Sequence, residues 1–132
     1  MEELKIVIAT ELNVDPATAY NAWLDSDGHE EMTGGGASFT NQVGAEFTAW
    51  DGYIFGKILE LNPNKRVLQT WRTSEFEEST ADSIVEVTFA PSDNGTLFTL
   101  THTALDSEAS VEKYSIGWEQ HYIEPMLTHF NS

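Results

Sequence analysis

Cysteine is absent from the 132 residues, which rules out disulfides and thiolate chemistry and suits a reducing compartment. Cations are nearly as scarce: six Lys and Arg stand against 22 Asp and Glu, a formal charge of -16. Phosphate backbones and anionic bilayers repel such a chain, which argues against nucleic-acid and membrane-surface partners, whereas basic partners or a salty solvent fit it. No apolar run approaches the roughly 18 residues of a spanning helix, and no basic segment leads into an apolar block at the N-terminus. These absences predict an intracellular, soluble, cytoplasmic protein. Catalytic signatures are missing too: there is no Gly-x-Ser-x-Gly elbow, and the run Gly34-Gly35-Gly36 is followed by no Gly-Lys-Ser/Thr phosphate cradle. The run reads as a flexible connection.

What the chain does have is apolar and aromatic mass. Hydrophobic residues make up 40%, with seven Phe, four Trp and four Tyr, which excludes a disordered chain and predicts one domain over residues 1–132 around one core. Its last long segment, Ser110 to Phe130, spaces Val111, Tyr114, Trp118, Tyr122 and Met126 three and four apart, the stripe of an amphipathic helix. Ile116, Ile123, Leu127 and Phe130 predict a second apolar row beside it. Pro125 removes a backbone donor and predicts a kink near the end of this helix.

Earlier in the chain, Leu4, Ile6, Ile8, Thr10 and Leu12 alternate with their neighbours as an opening strand does. Asp15-Pro16 starts a short helix with Ala19, Ala22 and Trp23 on its buried face, and Ser26 to Met32 can add one more turn. A period of two then predicts strands at 37–42, 45–50, 53–61, 66–73, 82–90 and 96–104. Asp51-Gly52, Asn62 to Lys65 and Ser92 to Gly95 supply the hairpin turns, and 75–81 forms an exposed acidic loop. With the opening strand this gives an α+β fold with a curved antiparallel sheet of about seven strands. One or two short helices follow the first strand, and a long C-terminal helix covers one face. Parity puts Val85, Val87, Phe89, Phe98, Leu100 and His102 on that face, while a mixed face along 53–59 signals a bulge.

Several of these stretches together resemble one family. Met32-Thr33-Gly34, Phe47 through Gly56, Leu61-Asn62-Pro63, Gln69-Thr70-Trp71-Arg72, Asp82-Ser83, Gly95-Thr96, His102, Gly117-Trp118-Glu119, Tyr122, Pro125-Met126 and Phe130 are similar to the activator of heat-shock-protein-90 ATPase homologue family of the START-like (SRPBCC) superfamily. That resemblance implies a helix-grip fold gripping the C-terminal helix. It also implies one of three roles: a non-enzymatic domain holding a small apolar or aromatic ligand, a co-chaperone-like module for heat-shock protein 90, or a small cyclase or hydrolase.

A cavity between sheet and helix would be lined from Phe47, Phe55, Trp71, Phe98, His102, Trp118 and Tyr122. His102 is the candidate acid or base, since an ordinary histidine titrates near neutrality, and its alternative is a hydrogen-bonded core residue. Arg72 can hold a ligand carboxylate or pair with an acid of the Glu75 to Glu78 loop. His29 with Glu30 and Glu31, and His121 with Glu124, lack a third ligand at metal spacing, so no metal and no cofactor is expected.

Overall fold

The computed structural model describes residues 4–131. The chain opens on β1 (Ile6–Leu12), where Ile6 and Leu12 are buried and Val7 faces out. Asp15 caps α1 (Pro16–Leu24) by accepting the Thr18 amide at 3.1 Å, with Pro16 at the helix start, where a missing N–H costs nothing. Asp25 ends α1 and caps α2 (Ser26–Thr33) through the Gly28 amide at 2.8 Å. A meander follows: β2 (Glu46–Ala49), β3 (Ile54–Asn62), β4 (Arg66–Thr73), β5 (Ser83–Ser92) and β6 (Gly95–Thr103). The last elements are α3 (Glu108–Trp118), a π-helical turn (Glu119–Ile123) and α4 (Glu124–Asn131).

The strands make a curved, antiparallel six-stranded sheet in the order β1-β6-β5-β4-β3-β2. β1 and β2 are its two edges. Between them α1 and α2 carry the chain across, α1 packing on β5 and β6 and α2 on α4. Val67, Val85, Val87, Phe89, Phe98 and Leu100 line the inner face and meet Tyr114, Trp118, Tyr122, Ile123 and Met126 of the C-terminal helical segment in one buried cluster. Each aromatic buries roughly 150–250 Å², or about 4–6 kcal/mol of transfer energy at ~25 cal/mol per Å². The grip of the sheet on the helix rests on these rings.

The expected strand over 37–42 does not form, so the sheet has six strands rather than about seven. Only Ser38 pairs, with Thr48. The backbone of the next residue is already engaged: Phe39 N–H donates to Ser26 Oγ at 2.8 Å, and that hydroxyl donates to the Phe39 carbonyl at 3.2 Å. The Phe39 ring is thereby driven inward between His29 and Phe47, stacked at 4.3 and 5.0 Å. The glycine run is likewise not a flexible connection. Gly34, at φ 90°, closes α2 by donating to Glu30 O at 2.7 Å. A Cβ on Gly35 would sit 2.4 Å from the Trp50 ring and one on Gly36 2.3 Å from Asp51 Oδ1, so the run is a surface on which the β2–β3 turn packs. The anticipated bulge in β3 lies between Ile58 and Glu60.

The C-terminal helix begins earlier than the apolar stripe suggests, at Glu108, because Ser107 Oγ accepts the Ser110 amide at 3.1 Å. Where a kink at Pro125 was expected, the helix widens instead, with Glu124 N–H bonding back to Glu119 O. The extra room keeps the proline ring clear of the carbonyl four residues behind it. The same widening sets the buried stripe. Four-residue steps from Tyr114 to Met126 would drift about 120° around a regular helix, and the added residue takes back about 100°, leaving about 20°. Tyr114, Trp118, Tyr122 and Met126 are accordingly all buried. Ile116 departs from the expected second row and is 57% exposed, because it lies before the widened turn that brings Ile123 inward.

Candidate functional site

A hollow of about 510 Å³ lies between the turn joining β2 to β3, the β3 and β4 positions Ile54 and Trp71, and the helical wall from Lys113 to Tyr122. Trp50, Tyr53, Trp71, Tyr114, Trp118 and Tyr122 give it an aromatic lining. Ile116 and Tyr53, both exposed, mark its open side. The turn aims its aromatics by strain: Trp50 and Asp51 adopt left-handed φ of 51° and 57° ahead of Gly52, and Tyr53 N–H closes the turn on Trp50 O at 3.1 Å. Gly117 forms part of the wall, and the space where its Cβ would project holds no atom within 4 Å.

The mouth is polar. Glu75 Oε2 accepts from the Tyr53 hydroxyl at 2.5 Å and also binds the Lys113 ammonium, joining the hairpin turn, the 75–81 loop and α3. Lys113, and then Tyr53, hold the Glu75 carboxyl below its ordinary range, while Glu75 raises Lys113. His121 stands at the rim with its ring edge-on to Trp50 at 5.2 Å. The Trp50 indole N–H is buried and meets no acceptor among the described residues.

Of the residues expected to line a cavity, Trp71, Trp118 and Tyr122 are on the hollow. The other four are elsewhere. Phe98 packs deeper, against Trp23 and Phe89. Phe47 is stacked on Phe39, and Phe55, one residue out of phase with buried Ile54, is 37% exposed on the opposite face of the sheet. His102 is wholly buried behind Trp71 and Trp118. Its Nδ1 accepts from Trp118 Nε1–H at 3.0 Å, so the proton sits on Nε2 and is donated to Ser83 Oγ at 2.8 Å, whose own proton goes to Trp71 O at 2.6 Å. Burial lowers its pKa to about 3. Both nitrogens are committed and the ring is neutral, which leaves no free lone pair for general-base work.

His29 has the opposite tautomer. Its Nδ1 lies 2.9 Å from the Trp23 carbonyl and must carry the proton, so Nε2 accepts from Tyr122 O–H at 2.7 Å. Burial brings His29 down to about 4 and raises Tyr122 well above its ordinary range. His29 is therefore a core residue rather than a metal ligand, and no group of three or more metal-ligating side chains occurs among the described residues. Arg72 pairs with Asp82 at 2.7 Å rather than with an acid of the Glu75 to Glu78 loop, and its other bonds go to the carbonyls of Glu77 and Thr80 at 3.0 and 3.1 Å.

Trp50, Tyr53, Tyr114 and His121 also line the hollow and stand outside the seven residues expected there. Tyr114 was findable, because it shares the four-residue stripe of Trp118 and Tyr122. Trp50 and Tyr53 flank the Asp51-Gly52 turn, and aromatics at both ends of a tight turn are a signal that they project together. The sequence marks His121 only beside Glu124, as a pair short of a third metal ligand, and not as part of a cavity wall.

A curved antiparallel sheet closed over a C-terminal helix, with two short helices between its edge strands, defines the START-like, helix-grip class of α+β proteins. Within that class the chain belongs to the family described as Activator of Hsp90 ATPase homolog 1-like protein, which matches residues 13–130. A curated relative from Dictyostelium discoideum, "Activator of 90 kDa heat shock protein ATPase homolog", is 24% identical over 115 residues, covering 86% of this chain but 30% of the relative's length. Among solved structures, an HSP90 activator from Plasmodium falciparum is similar with a TM-score of 0.84 and 24% identity, covering 95% of this chain and 94% of that one. A protein from Mesorhizobium loti is similar at 0.82 and 20%, with 96% of each chain covered. CalU16 from Micromonospora echinospora is similar at 0.79 and 23%, covering 96% and 75%. No helix among the described residues is long and apolar enough to cross a membrane.

Proposed function

We propose that this protein is a non-enzymatic binding domain whose hollow takes a small apolar or aromatic ligand. The observation that carries this reading is Gly117. A glycine inside a helix costs about 1 kcal/mol relative to alanine, yet here it faces the hollow with nothing in the place of its side chain. A side chain at that position would strengthen the helix and occupy the space. The volume of about 510 Å³ falls in the range of small-molecule sites. The test compares Gly117→Leu with the natural chain under NMR titration with a panel of hydrophobic compounds. The indole N–H signals of Trp50, Trp71 and Trp118 are expected to shift and that of Trp23, buried against Gln69, to stay. Gly117→Leu is expected to remain folded and to lose the shifts. Equal binding by Gly117→Leu, or no shift with any compound, refutes the reading.

A second reading, favoured by the family membership and by the activator names of the Dictyostelium and Plasmodium relatives, is a co-chaperone-like module that stimulates heat-shock protein 90. The chain spans less than a third of the Dictyostelium relative, so that activity is tested directly, by whether the purified protein alters chaperone ATPase turnover. The cyclase or hydrolase reading lacks support at His102, whose lone pair is taken by Trp118.

A further inference from the structure

We infer that the hollow is selective for an organic cation, an apolar or aromatic body carrying a quaternary or protonated amine, over neutral and anionic molecules of the same shape. This deepens the reading of the hollow as a ligand site and rests on it. The lining supplies the first argument. Trp50, Tyr53, Trp71, Tyr114, Trp118 and Tyr122 come together on one hollow, and indole and phenol rings present the negative face of their quadrupole to a positive charge. Charge supplies the second: a chain at -16 draws cations towards any concavity it holds and repels anions from it.

The third argument is already present in the structure. The wall holds one ammonium, that of Lys113, 5.5 Å from the centroid of Tyr114, with the Glu75 carboxylate, which lies just outside the hollow beyond Lys113 and Tyr53, as its counter-ion. Lys113 thus occupies the place of a ligand cation rather than that of an anion receptor, because its charge is neutralised by Glu75 and Tyr53 takes the same carboxylate oxygen. A ligand amine beside Lys113 meets the same ring, with the same carboxylate just outside the hollow. A ligand carboxylate would have to evict Glu75 and enter against the field of the chain.

The two kinds of ligand give opposite signs for one substitution. Lys113→Met keeps the length of the side chain, removes the resident cation and frees Glu75, and the side chain is half exposed, so the fold is not at risk. Cationic ligands should bind more tightly to Lys113→Met, by about three- to tenfold, and anionic ligands more weakly.

The probes are phenyltrimethylammonium, its neutral isostere tert-butylbenzene and the anionic benzenesulfonate, titrated into the natural chain and into Lys113→Met while the four indole N–H signals are followed. The cation is expected to bind about tenfold tighter than the isostere, to gain on Lys113→Met and to weaken with added salt. Equal or tighter binding of the isostere, or weaker cation binding by Lys113→Met, overturns the cation selectivity and leaves the hollow a ligand site. Silence at Trp50, Trp71 and Trp118 with every probe overturns the ligand-site reading and this inference with it.

Discussion

Acidification from pH 7 to 5 should strip this fold of a large part of its stability, through two histidines that face nothing acidic. Both start from an ordinary value of 6.5 and are lowered, His29 to about 4 and His102 to about 3, by burial. Because the native values lie below the unfolded ones, unfolding takes up protons. The contribution is complete above pH 6.5 and is lost as pH falls towards 4 and 3. At pH 5 an unfolded histidine is almost fully protonated and these two native rings are almost bare, a difference of about 1.8 protons, or about 2.5 kcal/mol per pH step. Integrated from pH 7 to 5 the loss is about 4 kcal/mol, against a usual total of about 5–15 kcal/mol.

Urea unfolding at several pH values reads the total, and the variant His102→Gln isolates one half of it. Glutamine can accept from Trp118 through its oxygen and donate towards Ser83 through its amide, and it does not titrate, so the slope should fall by about half. Long-range proton–nitrogen NMR on the folded chain at pH 6 should show two neutral rings of opposite tautomer, Nδ1–H for His29 and Nε2–H for His102. A charged ring at pH 6, matching tautomers, or an unaltered slope in His102→Gln would refute the reasoning.

Other perturbations have equally definite outcomes. Tyr122→Phe leaves His29 Nε2 without its donor in a sealed site and should cost about 1–3 kcal/mol in urea unfolding. Gly56→Ala would put a Cβ 2.2 Å from the Thr70 carbonyl and 2.8 Å from Phe47, so β3 must move away from β4; about 1–3 kcal/mol of destabilisation is expected, seen as a lower urea midpoint. Gly117→Ala, with free space and a regular helical setting, should raise stability by about 0.5–1 kcal/mol in the same assay.

The fold was largely legible because β4, β5 as far as Phe89, and β6 alternate in burial and each turn carries its own chemistry, as Asn62 to Lys65 and Ser92 to Gly95 do. Legibility failed where a distant atom decided the outcome. The alternation over 37–42 was overridden by one hydroxyl, that of Ser26, and the glycine run is shaped by Trp50, which stands fourteen residues downstream of Gly36. In the site, parity placed Phe98 and His102 on the inner face as observed but could not rank depth, and both lie behind the rings that line the hollow. Phe55 was assigned inward because one residue of phase separates it from Ile54, and the bulge after Ile58 blurs that phase.

Arg72 reaches into the acidic loop through the carbonyls of Glu77 and Thr80, atoms that every amino acid possesses. The outline of its far half, from Glu77 to Thr80, is therefore held by a strand residue, while Glu75 and Phe76 fasten its near half through their own side chains. Glu77, Glu78 and Ser79 can be rewritten without redrawing the path of the chain, whereas one exchange at Arg72 would release the stretch from Glu77 to Thr80. A protein fastened this way can change the charge and texture of one whole flank at little structural risk.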